Sequence, residues 1–502
     1  MILRTSRTKL MTSLGLSATL VAAILFAATT VRSNADPDRG DRGSAGAAAA
    51  PGSIGSPRFG VDSRWPLVLP NNWEIGQVGG LSVDKSDNIW VYQRPGSDTA
   101  DEVGAAQSPP SEGCCFPAPP VLEFNAKGTL INAWGPIEGT VAGCKNALVL
   151  SGGGTTCNNT ALASSNGNPA GGYSWFAGGG EHGINATDDG FVWVGGNGGT
   201  DSQVLKFDRF GNFKLRIGGE DVPAGAFHCP NNLATTYVCH VSMFYVDTPN
   251  QEVYMSDGYS NNRVSVWNAM TGAFKRAWGA FGATANGIGC TGAGCGSVTT
   301  TGYGTLGPLL ATYAPIPAYC GGSPDSACPG VPNPSYYFRN PVHCVNRDPN
   351  TGYIWACDRS NNRIQVFTPG KGTVGTAGYV QPTYVGQCYF AQATIGNSGS
   401  IWDIKFWPKK GGKNEVAFAI DGSNEFVREF LPKPDPSSGT SSNQSKYCPL
   451  QGQFGHAGRN AGFFHWGHVA DFDSNGNYYT GEVDTGKRIQ KFVPLGGGDQ
   501  GR

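Results

Sequence analysis

Seven histidines occur in the 502-residue chain, at positions 182, 228, 240, 343, 456, 465 and 468. Three of them share one register. His182 lies 14 residues before Gly196, His343 lies 15 before Asp358, and His468 lies 14 before Glu482. Each opens an alternating segment, and Gly196, Asp358 and Glu482 each end the next one. A single histidine in such a place reads as a structural hydrogen-bonding residue. The repeated register changes that reading. Three imidazoles brought together, with coordination positions left open, form a ligand set suited to Zn²⁺. His465 stands close by as a substitute or an outer partner. His240 falls two places before its own segment's equivalent position and is left out of the set.

The segments that must position these residues form a repeat. GGLSVDKSDNIWVYQRP (79–95), HGINATDDGFVWVGG (182–196) and SMFYVDTPNQEVYMSDGYSNNRVSVWNAMTGAFKRAWG (242–279) follow one plan. So do the copies at 343–372, 401–430 and 468–493. A short alternating strand leads through a Gly/Asn/Asp turn to a second strand rich in Val, Trp and Tyr. A polar turn such as DGYSNN or DRSNN opens a third strand, and a fourth often closes on Trp-Gly. Four short strands repeated six times predict an all-β, six-bladed β-propeller. One such sheet alone leaves both faces wet, so the ring must close and bury blade against blade. Residues near 60–70 are expected to complete the last blade. Ring geometry then directs the three histidines toward the axis.

The repeat resembles the NHL type. With its polar residues included, the chain resembles the peptidyl-α-hydroxyglycine α-amidating lyase family, a six-bladed NHL propeller. GQVGGLSVDKSDNIWVYQRP (76–95) resembles that family's first blade, which ends in a functional arginine, here Arg94. SDGYSNNRVSVW (256–267) resembles its third blade, whose DGY tyrosine is the catalytic base, here Tyr259. His182, His343 and His468 match its zinc-binding histidines in blade and spacing. The resemblance implies cleavage of a carbinolamide C–N bond, releasing an amide and glyoxylate. Zinc would polarise the hydroxyl oxygen, Tyr259 as phenolate would take the proton, and Arg94 would hold the carboxylate through paired hydrogen bonds.

Departures from the family are local. Ser260 stands where the family carries a disulfide-bonded cysteine, and Cys239, at the upstream place, has Cys229 as another partner. Trp466-Gly467 replaces Met-Pro before the last zinc histidine. Val469 replaces an aspartate that helps hold Ca²⁺, which leaves backbone carbonyls at Val78 and Ile184 as the matching calcium ligands. These changes point to a reshaped substrate pocket. Two other classes stand beside the lyase: a non-enzymatic propeller binding a protein or glycan through its loops, and a calcium-dependent lactonase-like hydrolase.

Composition bounds the rest. Gly numbers 75, about twice average usage, without the triplet period of collagen. Hydrophobic residues are 39%, enough for a large core, and the formal charge of −1 carries no basic excess for nucleic acid. Arg4, Arg7 and Lys9 precede an apolar run from about Leu10 to Ala28, and Ser33-Asn34-Ala35 supplies small residues for cleavage. Residues 1–35 therefore read as a secretory signal peptide, with an uncleaved anchor as the alternative. Residues 36–58 read as a flexible linker, 59–496 as the propeller and 497–502 as a tail. A secreted or periplasmic protein, free of the membrane after cleavage and acting on a small molecule or peptide, is expected. Fourteen cysteines in an exported chain imply disulfides. The close pairs are Cys144/Cys157, Cys229/Cys239, Cys290/Cys295 and Cys320/Cys328. Adjacent Cys114 and Cys115 could bridge each other or pair elsewhere. Long insertions at 141–178, 280–338 and 431–463 read as ordered, disulfide-stapled loops on one face.

Overall fold

The computed structural model describes residues 58–135, 147–149, 155–157, 175–176, 179–199, 201–219, 229–283, 338–390, 398–436 and 447–495. Six antiparallel sheets carry the chain through the ring. Blade 1 runs through Gln77–Val83, Ile89–Arg94, Val121–Phe124 and Leu130–Trp134, and its sheet continues into a short hairpin at Ala147–Val149 and Thr155–Cys157. Blade 2 is Glu181–Ala186, Phe191–Gly196, Gln203–Asp208 and Phe213–Gly218. Blade 3 is Val241–Asp247, Glu252–Asp257, Arg263–Asn268 and Phe274–Trp278. Blade 4 is Val342–Arg347, Ile354–Asp358, Arg363–Phe367 and Tyr384–Tyr389. Blade 5 is Ile401–Trp407, Val416–Asp421, Phe426–Phe430 and Leu450–Phe454.

Blade 6 closes the circle with strands from both ends of the propeller. Gly467–Phe472, Tyr478–Glu482 and Ile489–Leu495 are joined on their outer edge by Arg58–Val61. The closing strand thus begins at Arg58, slightly ahead of the 60–70 segment expected and inside the end of the 36–58 linker. Each inner strand lies against the next, and the sixth lies against the first. An edge that would otherwise be open is thereby paired. The expected signal peptide, the rest of the linker, residues 496–502, and Cys144, Cys290, Cys295, Cys320 and Cys328 of the expected close pairs lie outside the described residues.

The blades pack through a repeated aromatic. Three residues before Gln93, Gly196, Asp257, Asp358, Asp421 and Glu482 stand Trp90, Trp193, Tyr254, Trp355, Phe418 and Tyr479, and all are buried. These large, stiff side chains suit a pleated surface covered on both faces. Trp355 meets Phe406 of blade 5 edge-on at 5.5 Å between ring centres, and Phe418 meets Phe472 of blade 6 at 4.9 Å. Such contacts between successive blades add to the area each ring removes from water.

Disulfides reinforce the loops. Cys114–Cys115 and Cys229–Cys239 form as the sequence allowed. Two further bridges join cysteines outside the expected pairs. Cys344–Cys357 ties the inner two strands of blade 4, and Cys388–Cys448 ties that blade's outer strand to the 431–463 insertion. No helix among the described residues is long and apolar enough to cross a membrane.

The polar ends of the second strands form a second repeat. Asp257 accepts from Arg263 at 2.7 Å and Asp358 from Arg363 at 2.7 Å, with neither pair meaningfully exposed. Asp421 and Arg428 repeat the arrangement at 2.8 Å, and Glu482 and Arg488 at 2.7 Å. The same carboxylates accept backbone N–H groups from the chain entering their blade. Cys239 donates to Asp257 at 2.7 Å, Arg339 to Asp358 at 3.0 Å and His465 to Glu482 at 3.0 Å. A buried pair broken at one partner leaves an uncompensated charge. Asp358→Ala should therefore lower unfolding free energy by about 3–5 kcal/mol, read as a fall in the urea midpoint.

Candidate metal centre

All six inner strands carry a β-bulge at one place, where pairing with the second strand slips. The slips lie between Val78 and Gly80, Glu181 and Ile184, Val241 and Phe244, Val342 and Cys344, Ile401 and Asp403, and Gly467 and Val469. A bulge redirects a side chain out of the sheet's alternation. The bulges of blades 2, 4 and 6 hold His182, His343 and His468. Those of blades 1, 3 and 5 hold Gly79, Ser242 and Trp402. Gly79 is required at its bulge: a Cβ there would lie 2.1 Å from the Glu181 carbonyl of the neighbouring blade.

The bulges also explain the 14/15/14 spacing. In every histidine blade the residue before the histidine pairs with the end of the second strand: Glu181 with Gly196, Val342 with Asp358, Gly467 with Glu482. The extra residue of blade 4 sits in the hairpin turn between Arg347 and Ile354.

Each histidine is anchored across a blade junction. His182 Nδ1 lies 2.7 Å from the Ser242 carbonyl, His343 Nδ1 2.6 Å from the Trp402 carbonyl, and His468 Nδ1 3.0 Å from the Val78 carbonyl. A carbonyl only accepts, so Nδ1 carries the proton and Nε2 the lone pair in all three. The three ligand nitrogens lie within 4.8 Å of one another, and the residues are buried. His468 Nε2 and His182 Nε2 are 3.2 Å apart. With both protons on Nδ1, neither can donate to the other, so two lone pairs face each other. A shared cation relieves this. Tetrahedral zinc with Zn–N of about 2.0–2.1 Å sets ligand nitrogens about 3.3–3.4 Å apart, so the donor set fits such an ion. Among the described residues this is the one group of three or more His, Cys, Asp or Glu side chains so disposed.

Burial is the largest influence holding all three imidazoles well below the ordinary histidine range. Positive neighbours add to it: Arg94 and Arg359 press on His182 and His468, and Arg359 on His343. The ligands are therefore neutral and ready for a cation at and below neutral pH.

Tyr259 stands over the cluster. Its Oη is 3.3 Å from His182 Nε2 and 3.1 Å from His343 Nε2. Its backbone is fixed by the N–H donated to the His240 carbonyl at 3.1 Å and by the Asn340 side chain donating to its carbonyl. Arg94, half-buried at the end of its strand, donates Nε to the Glu181 carbonyl at 2.9 Å and Nη1 to Gln77 Oε1 at 2.8 Å. Tyr259 and the three histidines thus meet in one cluster, and Arg94 lies near enough for its charge to act on His182 and His468.

Sequence reasoning missed Arg359. Its Nη1 is 3.3 Å from Tyr259 Oη, and its guanidinium lies 4.6 Å over the Trp402 ring. It directly follows the strand-end Asp358, as Arg94 directly follows Gln93, and the two blades face each other across a ring of six. DRSNN reads in the sequence as a turn signal, although it aligns with the DGYSNN turn that holds Tyr259.

The remaining polar candidates lie outside the cluster. His465 bonds Asp484 Oδ2 through Nε2 at 3.0 Å. His240 Nδ1 accepts from Ser260 Oγ at 2.6 Å, and its Nε2 donates to the Gly199 carbonyl at 2.9 Å. Cys239 is joined to Cys229, so a serine–histidine hydrogen bond occupies the place the family gives to a disulfide. The Val78 carbonyl, a calcium ligand in the resemblance, accepts from His468, and the Val469 side chain is buried in the apolar core.

No family model matches the chain, and no curated protein matches it. Among solved structures it is similar to a streptogramin B lyase at 12% identity and TM-score 0.40, covering 87% of this chain and 97% of that one. It is also similar to a catalytically inactive virginiamycin B lyase from Staphylococcus aureus solved with quinupristin, at 11% identity and TM-score 0.38, covering 87% and 100%. The WD40 β-propeller domain of Doa1 follows at 10% identity and TM-score 0.37, covering 88% and 97%. The architecture rests on the six sheets themselves rather than on these distant likenesses.

Two outcomes follow for the centre. Elemental analysis after zinc loading should find about one zinc per chain, and His343→Ala should lose it. In metal-free protein the depressed histidines stabilise the fold fully above about pH 6.5, and that contribution falls away as pH drops toward their folded-state values. Thermal unfolding of the metal-free protein should therefore shift downward between pH 7 and 5, and zinc should oppose the shift.

Proposed function

We propose that this is an exported, zinc-dependent lyase that cleaves peptidyl-α-hydroxyglycine-like carbinolamides to an amide and glyoxylate. The observation that carries the reading is the convergence of three neutral imidazole Nε2 atoms with a tyrosine hydroxyl and two guanidinium groups. His182, His343 and His468 would hold the ion. The chemistry it supplies when bound is Lewis acidity toward the carbinol oxygen.

The chain's own residues do the rest. Arg94 binds the substrate carboxylate through charge-assisted hydrogen bonds, which also hold the glyoxylate product. Tyr259, as phenolate, takes the hydroxyl proton. The O–H electron pair becomes the C=O of glyoxylate, the C–N bond breaks, and its pair goes to the amide nitrogen. Tyr259 returns the proton to that nitrogen, so no oxidant or other co-reactant is needed. Arg359 donates to the Tyr259 oxygen and orients the phenol toward the histidines. Disulfides at Cys229–Cys239, Cys344–Cys357 and Cys388–Cys448 support an oxidising compartment.

The test is glyoxylate release from α-hydroxyhippurate by zinc-loaded protein. Wild type should release it, and Tyr259→Phe should be slower by about 10²-fold or more. Equal rates would remove Tyr259 from the mechanism. No release by either protein would favour a binding propeller, and calcium-dependent lactone hydrolysis would favour the hydrolase.

A further inference from the structure

Trp466 immediately precedes the inner strand of blade 6, two residues before His468. Its backbone has φ 57°, the left-handed region that bulky side chains rarely adopt. The chain has glycine at the next position, yet sets an indole here. Such strain persists only where surrounding bonds impose it, and it gathers at functional sites.

The bonds are on both sides. The Trp466 N–H is shared between the two carboxylate oxygens of Glu425, 2.9 Å to each, and its carbonyl accepts from Val483 N–H at 3.1 Å. Glu425 is itself left-handed, with φ 63°, and its side chain comes from the turn between the middle strands of blade 5. A nearly buried carboxylate of one blade thus dictates where the indole of the next blade stands. Neither residue is used by the proton transfer described above.

The indole is one ring removed from the metal centre. Trp402 packs at 5.6 Å from the His343 ring and 5.7 Å from the His468 ring. Trp466 meets Trp402 edge-on, 5.2 Å away at 85°. It is only partly buried, and its Nε1–H donates to no group among the described residues. Trp402 is fully buried between the histidines and Arg359 and presents nothing comparable. The Trp466 indole, packed on the apolar cluster of blades 5 and 6, therefore keeps part of its surface and its N–H unengaged.

We infer that Trp466, backed by Trp402, is a specificity-determining subsite for the N-acyl side of the substrate, selecting aromatic acyl groups over small aliphatic ones. The inference rests on the lyase reading for the substrate's other half. With the carboxylate on Arg94 and the hydroxyl at the histidines, the acyl group is the part still to be housed. A ring against the indole face gains an offset or edge-on aromatic contact, and the acyl carbonyl accepts from the indole N–H.

The test uses unreactive ligands and whole protein. Calorimetry would compare hippurate, which carries a benzoyl group, with N-acetylglycine on wild type, Trp466→Phe and Trp466→Gly. Glycine suits the left-handed backbone, so that variant keeps the fold, as circular dichroism would check. Wild type should bind hippurate about tenfold more tightly than N-acetylglycine. Trp466→Phe should keep most of that preference, and Trp466→Gly should reduce it to within about twofold. An unchanged preference in folded Trp466→Gly, equal weakening of both ligands, or no hippurate preference in wild type overturns the inference. Glyoxylate release separates the two readings. A Trp466-dependent preference without glyoxylate release sinks the lyase and leaves the subsite, whereas release without the preference sinks the subsite and leaves the lyase.

Discussion

Each site histidine is oriented by the hydrogen bond from its Nδ1 to a backbone carbonyl of the next blade. That bond sets the ring's orientation, its tautomer and the inward direction of Nε2. It exists only while neighbouring blades are in register. The histidines come from blades 2, 4 and 6 and their acceptors from blades 3, 5 and 1. The centre therefore has approximate threefold character imposed by a sixfold scaffold, and every second junction contributes to it. An open ring would lose at least one of these contacts, which makes the N-terminal strand Arg58–Val61 part of the site's support although it lies at the rim of blade 6.

Charge is arranged in two layers. Buried acids at the ends of the second strands are answered by arginines of the third strands, so this layer is neutral and rigid. It also pins the chain just before each bulge, as with Arg339 ahead of His343 and His465 ahead of His468. Above it lie Arg94 and Arg359, which are paired mainly with carbonyl, amide and phenol oxygens rather than carboxylates. Their positive charge adds to the burial that holds the imidazoles below the ordinary histidine range. Under the proposed reading, the field that suits a carboxylate substrate also keeps the candidate metal ligands neutral.

The departures from the resembling family fall at contacts where one local device can stand in for another. Ser260 and His240 brace the Tyr259 turn by a hydrogen bond where a covalent bridge would otherwise do so. Trp466 widens the aromatic wall beside His468, and Glu425 supplies the buried acceptor that makes its backbone conformation tenable. Tyr259 Oη still meets His182 and His343 beside both changes.

Much was legible in the residues alone. Six repeats of four short strands, the second rich in Val, Trp and Tyr, specify blades, because such sheets can only be buried face to face. The common register of His182, His343 and His468 specifies that they start equivalent strands, since strand pairing counts residues. Arg94 and Tyr259 were found through motif resemblance. Arg359 was equally visible in its spacing, yet its turn composition masked it, because Asp, Ser and Asn serve turns whatever the neighbouring side chain does. Local sequence could not assign the Nδ1 acceptors, the facing lone pairs, the Cys344–Cys357 and Cys388–Cys448 bridges, or the left-handed seat of Trp466. Each joins groups from different strands or blades, and only closure of the ring brings those groups within hydrogen-bonding or bonding distance.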